Sequence, residues 1–183
     1  MDPSDDEDID RALMAAVARQ DARAYATLVR RHLAWALRFV GRMVGARPDA
    51  EDVVQTGFLR VWQGAARWEP DARFRTWFYR VLYNLCMDHF RAHGVPTDAL
   101  DDTLLDDRPS NEDQLFARQR SERVRQALAA LPVRQRAALV LRYYEERSQA
   151  EAAGLLGVSE GALESLLSRG RAALKKNIGD LLH

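Results

Sequence analysis

The chain has 183 residues, of which 47% are apolar, and its formal net charge at pH 7 is zero. This length and composition fit one ordinary domain or two small ones and exclude a fibrous or low-complexity chain. The single cysteine, Cys86, excludes an intramolecular disulfide framework and fits a reducing compartment. The acidic N-terminus is unlike a signal peptide, and no apolar run is long enough to span a membrane, so we expect a cytoplasmic protein.

Charge is distributed along the chain in four blocks. Residues 1–10 carry a net charge of −6, residues 11–96 carry +7, residues 97–113 carry −6 and residues 114–183 carry +5. Basic blocks favour a polyanionic partner, although two ordinary solvated domains with acidic tails would show the same totals. The second acidic block lies in a stretch that has turn residues at both ends and no helical stripe, which predicts a flexible linker over 94–113.

The apolar periodicity on both sides of the linker is helical, and alternating strand patterns do not occur, so the sequence predicts an all-α fold. We divide the chain into an acidic leader (1–10), a first domain (11–93), the linker and a second domain (114–183). The helices predicted are 8–19, 22–45, 49–65 and 72–92 before the linker, and 112–130, 133–146, 148–156 and 159–176 after it.

A tight corner between two helices is predicted at Gly157. Ser148 and Glu151 form a capping-box pattern that begins one helix, and Gly157 accepts the left-handed conformation in which helices often end. Ser159 is a favourable N-cap for the helix that follows. This spacing is typical of a helix-turn-helix, and a plain helical hairpin with a solvated face is the alternative.

The outward face of the last predicted helix carries residue types that bind duplex DNA. Serine can donate to and accept from base edges, arginine favours guanine or phosphate, and glutamate can accept from the cytosine amino group. The helical period places on this face Glu164, Ser168, Arg171 and Lys175, with Gly161 and Ser165 beside them.

The stretch 68–93 combines cations and aromatic rings on one predicted helix. Arg73, Arg80, Asn84 and Arg91 share a face, with Trp77 at its edge. This combination suits a single strand of nucleic acid, because phosphates meet arginine and unstacked bases meet rings. In the alternative the arginines are merely solvated and the rings are core. We favour core positions for Phe74, Phe78 and Tyr83, and leave Trp77 open.

No catalytic or metal-binding constellation is evident. Cys86, His89 and His93 fall on one side of a predicted helix, but there is no second cysteine to complete a structural zinc site. Gly-rich phosphate loops, nucleophile elbows and paired-carboxylate motifs do not occur. We therefore expect no cofactor, no metal and no enzymatic activity.

Three stretches resemble the extracytoplasmic-function (ECF) group of bacterial sigma factors. DAEDVVQTGFLRVWQ (49–63) is similar to the family's region 2.2, and FRTWFYRVLYNLCMDHFR (74–91) to its regions 2.3 and 2.4. The segment 131–174, LPVRQRAALVLRYYEERSQAEAAGLLGVSEGALESLLSRGRAAL, is similar to region 4. The resemblance implies a region 2-like bundle and a region 4-like helix-turn-helix domain. It also implies that the chain binds core RNA polymerase, directs promoter recognition and opening, and is controlled by an anti-sigma factor.

The resemblance also implies roles for individual residues. Core polymerase would be bound by Asp49, Asp52, Gln55, Phe58, Leu59 and Trp62, of which Phe58 is equally a core candidate. The −10 element would be bound by Arg73, Trp77, Arg80, Asn84, Asp88 and Arg91. The −35 element would be bound by Ser159, Glu160, Gly161, Glu164, Ser165, Ser168, Arg169, Arg171 and Lys175. The chain departs from the family at Glu164 and Leu166, where family members usually carry basic residues.

Two other classes of protein stay open on the sequence alone. A helix-turn-helix transcriptional regulator that acts without core polymerase explains residues 148–176 but leaves the pattern over 49–91 unused. An all-helical adaptor that binds only protein predicts no salt-dependent affinity for DNA.

Overall fold

The computed structural model describes residues 3–45, 47–69, 73–95 and 123–180, and these ranges contain helices and no strand. This confirms the predicted all-α class. The predicted linker lies outside the described residues except for 94–95. The helices are α1 (Pro3–Ala18), α2 (Ala22–Val44), α3 (Arg47–Gly64), α4 (Phe74–Ala92), α5 (residues 123–129), α6 (Val133–Leu139), α7 (Gln149–Leu156) and α8 (Glu160–Asp180). A 3-10 turn (Ala65–Arg67) follows α3, and a π turn (Val140–Tyr144) follows α6.

The chain divides into two compact units. The first comprises Met1–Gly41 and Ala46–His89, and the second comprises Arg42–Gly45 and Phe90–His183. Each unit has its own apolar core, as expected for small helical domains.

The first unit is built around aromatic residues on α2, α3 and α4. Trp35 stacks on Phe78 with 5.8 Å between ring centroids, and Phe58 contacts Phe78 at 4.8 Å. Close approach of α3 to α4 depends on Gly57, because a β-carbon there would lie 2.7 Å from Leu82 Cδ2. Phe74, Phe78 and Tyr83 are buried, so their predicted core positions are confirmed.

Helix α1 begins earlier than the sequence predicted and includes most of the acidic leader. Its side chains Met14 and Val17 are fully buried in the first unit. Asp10 is also buried, and its carboxylate accepts a hydrogen bond from Arg31 Nε at 3.0 Å and lies 2.9 Å from His32 Nε2. The leader is thus anchored on α2 by a buried charge that the apolar pattern does not reveal.

The second unit packs α8 against α6 and α7. Leu141, Leu156 and Leu163 are buried in its core. The helices α6 and α8 approach closely at Gly170, where a β-carbon would lie 3.1 Å from Leu139 Cδ1. This packing leaves the opposite side of α8 in contact with solvent.

Candidate nucleic-acid interfaces

The corner between α7 and α8 has the geometry that its sequence predicts. The N–H of Glu151 donates to Ser148 Oγ at 3.2 Å, and the N–H of Ser148 donates to Glu151 Oε2 at 2.9 Å, which completes the capping box. Gly157 ends α7 in the left-handed conformation at φ +65°. Ser159 Oγ then accepts from the N–H of Ala162 at 3.2 Å and caps α8. The direction in which α8 leaves the corner is therefore fixed by local hydrogen bonds.

The outward face of α8 together with its N-cap Ser159, which we call the α8 face, contains every residue predicted to bind the −35 element. All nine are exposed: Ser159, Glu160, Gly161, Glu164, Ser165, Ser168, Arg169, Arg171 and Lys175. Leu166 is half-buried and so belongs to the border of this face. Two side chains bond to their own helix, since Ser165 Oγ donates to Gly161 O at 3.1 Å and Arg169 Nε donates to Ser165 O at 3.2 Å.

Arg171 makes the contact that connects the α8 face to another element. Its Nη1 donates a hydrogen bond to the hydroxyl of Tyr143, at 3.0 Å, and both side chains are exposed. Tyr143 lies in the π turn after α6, 28 residues earlier in the chain. The sequence did not single out Tyr143, because residues so far apart share no local pattern.

The residues predicted to bind the −10 element lie on α4 and just before it. Arg73, Arg80, Asn84, Asp88 and Arg91 are exposed. Trp77 is half-buried, with its ring 5.9 Å from that of Phe74, so part of the indole remains accessible. The resemblance also implies a pocket for an extruded base in the loop 66–72, and residues 70–72 of that loop lie outside the described residues.

Two of these charged side chains are paired with other helices of the first unit. Arg73 Nε forms an ion pair with Glu7 of α1, and Asp88 lies 3.7 Å from Arg60 of α3. Both pairs are partly solvated, so each contributes little to stability. The contact with Glu7 nevertheless gives Arg73 a carboxylate partner from the leader.

Three of the six residues predicted to bind polymerase, Gln55, Phe58 and Leu59, line a groove between α2 and α3, and Asp49, Asp52 and Trp62 do not. The groove has a volume of about 480 Å³ and is lined by Tyr25, Val29, Leu33, Leu37, Glu51, Val54, Gln55, Phe58 and Leu59. Leu59 is 49% exposed, whereas its neighbour Phe58 is only 4% exposed and forms part of the core. Burial beside Trp62 raises the pKa of the Tyr25 phenol above its ordinary value of 10.0. Asp52 and Gln55 are exposed, while Asp49 and Trp62 are half-buried.

Comparison with known families identifies both units. The Sigma-70 region 2 family matches residues 28–95, and the Sigma-70 region 4 family matches residues 121–174. The ECF RNA polymerase sigma factor SigM of Mycobacterium tuberculosis is 35% identical over 174 residues, which cover 94% of this chain and 86% of SigM. The chain belongs to the ECF sigma factors. It is thus a transcription initiation factor and not an enzyme.

Further ECF relatives agree in both sequence and structure. The RNA polymerase sigma factor CnrH of Cupriavidus metallidurans is 36% identical over 179 residues, which cover 92% of this chain and 93% of CnrH. The solved structure of CnrH in complex with the cytosolic domain of CnrY has a TM-score of 0.68 to this chain and 31% identity, and covers 94% of this chain and 98% of CnrH. The predicted sigma-factor function is therefore confirmed, and the two rival classes are set aside.

The described residues also bear on disulfide formation, metal binding and membrane spanning. Cys86 is buried and forms no disulfide. Among the described residues, no group of three His, Cys, Asp or Glu side chains is arranged to hold a metal ion. None of the helices in the described ranges is both long and apolar enough to cross a membrane.

Proposed function

We propose that this ECF sigma factor divides promoter recognition between two of its surfaces and docks on polymerase through a third. The α8 face binds the −35 element, and the exposed side chains of α4 bind the opened −10 element. The groove between α2 and α3, with the exposed residues of α3, binds core RNA polymerase. The protein acts in the cytoplasm.

The observation that carries this proposal is the complete exposure of the α8 face on a helix whose other side is buried. A helix that enters the major groove must be rigid and must present several donors and acceptors together. The corner at Gly157 supplies the rigidity, and serine, arginine, lysine and glutamate supply the hydrogen-bonding groups. Arg171 and Lys175 suit phosphates, whereas Glu164, Ser165, Ser168 and Arg169 suit base edges.

The surface on α4 has the chemistry for a separated strand. Arg80 and Asn84 lie one helical turn apart and are both exposed. The accessible edge of Trp77 offers a ring on which an unpaired base can stack. Family membership supports this assignment, because the resemblance implies that region 2 reads and opens the −10 element.

The groove between α2 and α3 has the character of a protein interface. Its walls are mostly aliphatic and aromatic, while Gln55 and Glu51 supply polar groups at its border. Buried apolar anchors surrounded by polar residues are typical of stable protein contacts. Phe58 supports the groove from the core, so its contribution to polymerase binding is through packing, and Leu59 is the exposed anchor.

We further propose control by an inhibitor protein of the anti-sigma class. The solved relative CnrH is bound to the cytosolic domain of CnrY. An inhibitor that covered the groove or the α8 face would block polymerase or promoter without any change in this fold.

Run-off transcription with core RNA polymerase and genomic fragments tests the proposal. We expect defined start sites that depend on added sigma factor. Three matched pairs of variants then separate the surfaces: Arg169→Ala with Arg123→Ala, Arg80→Ala with Arg38→Ala, and Leu59→Ser with Ile9→Ser, where the second member of each pair replaces an exposed residue elsewhere in the same unit.

Each pair has its own readout. Arg169→Ala lowers promoter affinity, Arg80→Ala lowers strand opening measured by permanganate reactivity, and Leu59→Ser weakens polymerase binding by about fivefold or more. The controls leave all three unchanged. If a control matches its test variant, that surface is wrongly assigned, and if no start site depends on the added protein, the whole proposal fails.

A further inference from the structure

The contact between Tyr143 and Arg171 joins two exposed side chains that are far apart in the sequence. Tyr143 is 54% exposed, which is more than any other large hydrophobic side chain in the described ranges. Arg171 is also exposed, and its Nη1 donates to the phenol oxygen at 3.0 Å. An exposed aromatic ring that buries little surface gains little from packing, so stability alone does not explain its position.

The pair presents only donors to an incoming ligand. Arg171 donates one guanidinium N–H to the phenol oxygen, and its other N–H groups do not take part in this bond. The phenol oxygen accepts from Arg171, so its own O–H is directed to a different acceptor. Two adjacent donor groups, one of them cationic, match the oxygens of a phosphate.

The position of the pair on the α8 face indicates which phosphate the two donors would meet. Arg171 follows Ser168 by three residues and precedes Lys175 by four, so all three lie on one stripe of α8. Tyr143 approaches this stripe from the π turn that ends α6. A phosphate held here would therefore belong to the DNA backbone beside the bases that the α8 face contacts.

We propose that Tyr143 is a positioning residue that holds the Arg171 guanidinium toward a backbone phosphate of the −35 duplex and donates its own hydroxyl to the same phosphate. This inference rests on the proposed function of the α8 face. Holding the guanidinium in advance reduces the conformational entropy that a long side chain loses on binding. The contribution is independent of base sequence, because phosphate contacts carry no direct sequence information.

The test uses the full chain and a fluorescently labelled DNA duplex of random sequence, with binding measured by anisotropy across a series of salt concentrations. The variants are Tyr143→Phe, Arg171→Ala and the double variant. Tyr144→Phe is the matched control, because Tyr144 is the adjacent residue and is also exposed, at 41%. Far-UV circular dichroism establishes that each variant retains its helices.

We expect Tyr143→Phe to weaken duplex binding about three- to tenfold, which corresponds to one lost hydrogen bond. Arg171→Ala weakens it about tenfold or more and lowers the slope of log affinity against log salt by about 0.9, since one phosphate contact is lost. In the Arg171→Ala background, the effect of Tyr143→Phe becomes smaller, because there is no guanidinium left to position. Tyr144→Phe binds like the wild type.

The possible failures separate this inference from the proposed function. If Arg171→Ala weakens binding but Tyr143→Phe does not, or if the two effects are simply additive, the positioning role is refuted and the DNA-binding function of α8 stands. If the wild-type chain shows no salt-dependent duplex binding, or if Arg171→Ala binds like the wild type, the assignment of α8 is refuted together with this inference.

Discussion

Replacing Asp10 by alanine tests the contact that anchors the leader helix on the first unit. Asp10 is buried, and its carboxylate accepts from Arg31 Nε at 3.0 Å and lies 2.9 Å from His32 Nε2. A hydrogen bond to a charged group contributes about 1.5–3 kcal/mol, and removing one partner of a buried pair costs about 3–5 kcal/mol. The Arg31 side chain is 26% exposed and can regain water, so we expect a loss of about 2–3 kcal/mol.

Asp8→Ala is the matched control for this substitution. Asp8 lies two residues earlier in the same helix and pairs with Arg11 at 3.5 Å, but both side chains are more than half exposed. An exposed ion pair of this kind contributes less than about 0.5 kcal/mol. Because both variants replace aspartate by alanine in α1, the helix propensity gained is similar and largely cancels in the comparison.

Tryptophan fluorescence measures the first unit selectively, because all four tryptophans of the chain lie between residues 35 and 77. In urea unfolding with an m-value of about 1–3 kcal/mol/M, a loss of about 2 kcal/mol lowers the midpoint by about 1 M. We expect this shift for Asp10→Ala, a smaller one for Asp10→Asn and almost none for Asp8→Ala. If Asp10→Ala and Asp8→Ala differ by less than about 0.5 kcal/mol, the buried pair does not anchor α1.

Four further predictions concern the helix ends and the α8 face. In the second unit, Gly157→Ala places a β-carbon on a residue with φ +65° and lowers the free energy of unfolding by about 1–2 kcal/mol. Gly154→Ala adds a carbon with nothing within 4 Å and raises the free energy of unfolding by about 0.5–1 kcal/mol. Ser148→Ala removes the cap of α7 and lowers the free energy of unfolding by about 1 kcal/mol, and Ser148→Asp restores most of this loss. Thermal unfolding followed by circular dichroism measures the glycine and serine variants. The N–H groups at the start of α2 hold the pKa of Asp21 below its ordinary value of 3.8. The Asp21 carboxylate therefore stabilises the fold above about pH 4, and this contribution is lost as the pH falls through the folded pKa. Acid unfolding of Asp21→Ala beside the wild type measures the contribution. Glu164→Gln changes the preferred −35 bases and tightens duplex binding, as measured by selection from a promoter library and by anisotropy.

Equal effects of the two glycine substitutions would mean that the left-handed conformation at Gly157 is not required. A Ser148→Asp variant as unstable as Ser148→Ala would exclude the capping bond as the cause. A constant stability difference for Asp21→Ala at all pH values would mean that its charge does not contribute. Unchanged base preference in Glu164→Gln would remove this carboxylate from base recognition.

The corner at Gly157 could be predicted from sequence because each of its determinants is local. The capping box, the left-handed glycine and the N-cap serine each depend on hydrogen bonds between residues no more than four positions apart. The local sequence is therefore enough to predict their geometry. The pairs that the sequence did not reveal join residues far apart. Asp10 with Arg31, Glu7 with Arg73 and Tyr143 with Arg171 exist only after helices pack.

The α3 residues show a second limit of the sequence pattern. Phe58 and Leu59 are adjacent and apolar, and the resemblance assigned both to polymerase binding. Adjacent residues on a helix point about 100° apart, so only one of them can face the core. The structure buries Phe58 and exposes Leu59, a distinction that depends on where α2 and α4 pack against α3.

The charges on the α8 face indicate how the proposed −35 contact would be made, by selection among bases more than by affinity for duplex DNA. Its nine exposed residues include two carboxylates and three cations, a net charge of +1. Because affinity for duplex DNA depends mainly on how many phosphates are neutralised, so few cations give weak binding by the free chain. Recruitment to polymerase would raise the effective concentration of the face at the DNA and offset this weakness. If the α8 face binds the −35 element as proposed, we expect weak but measurable salt-dependent duplex binding by the free chain and stronger recognition by the holoenzyme. A carboxylate such as Glu164 would then act by rejecting the wrong bases.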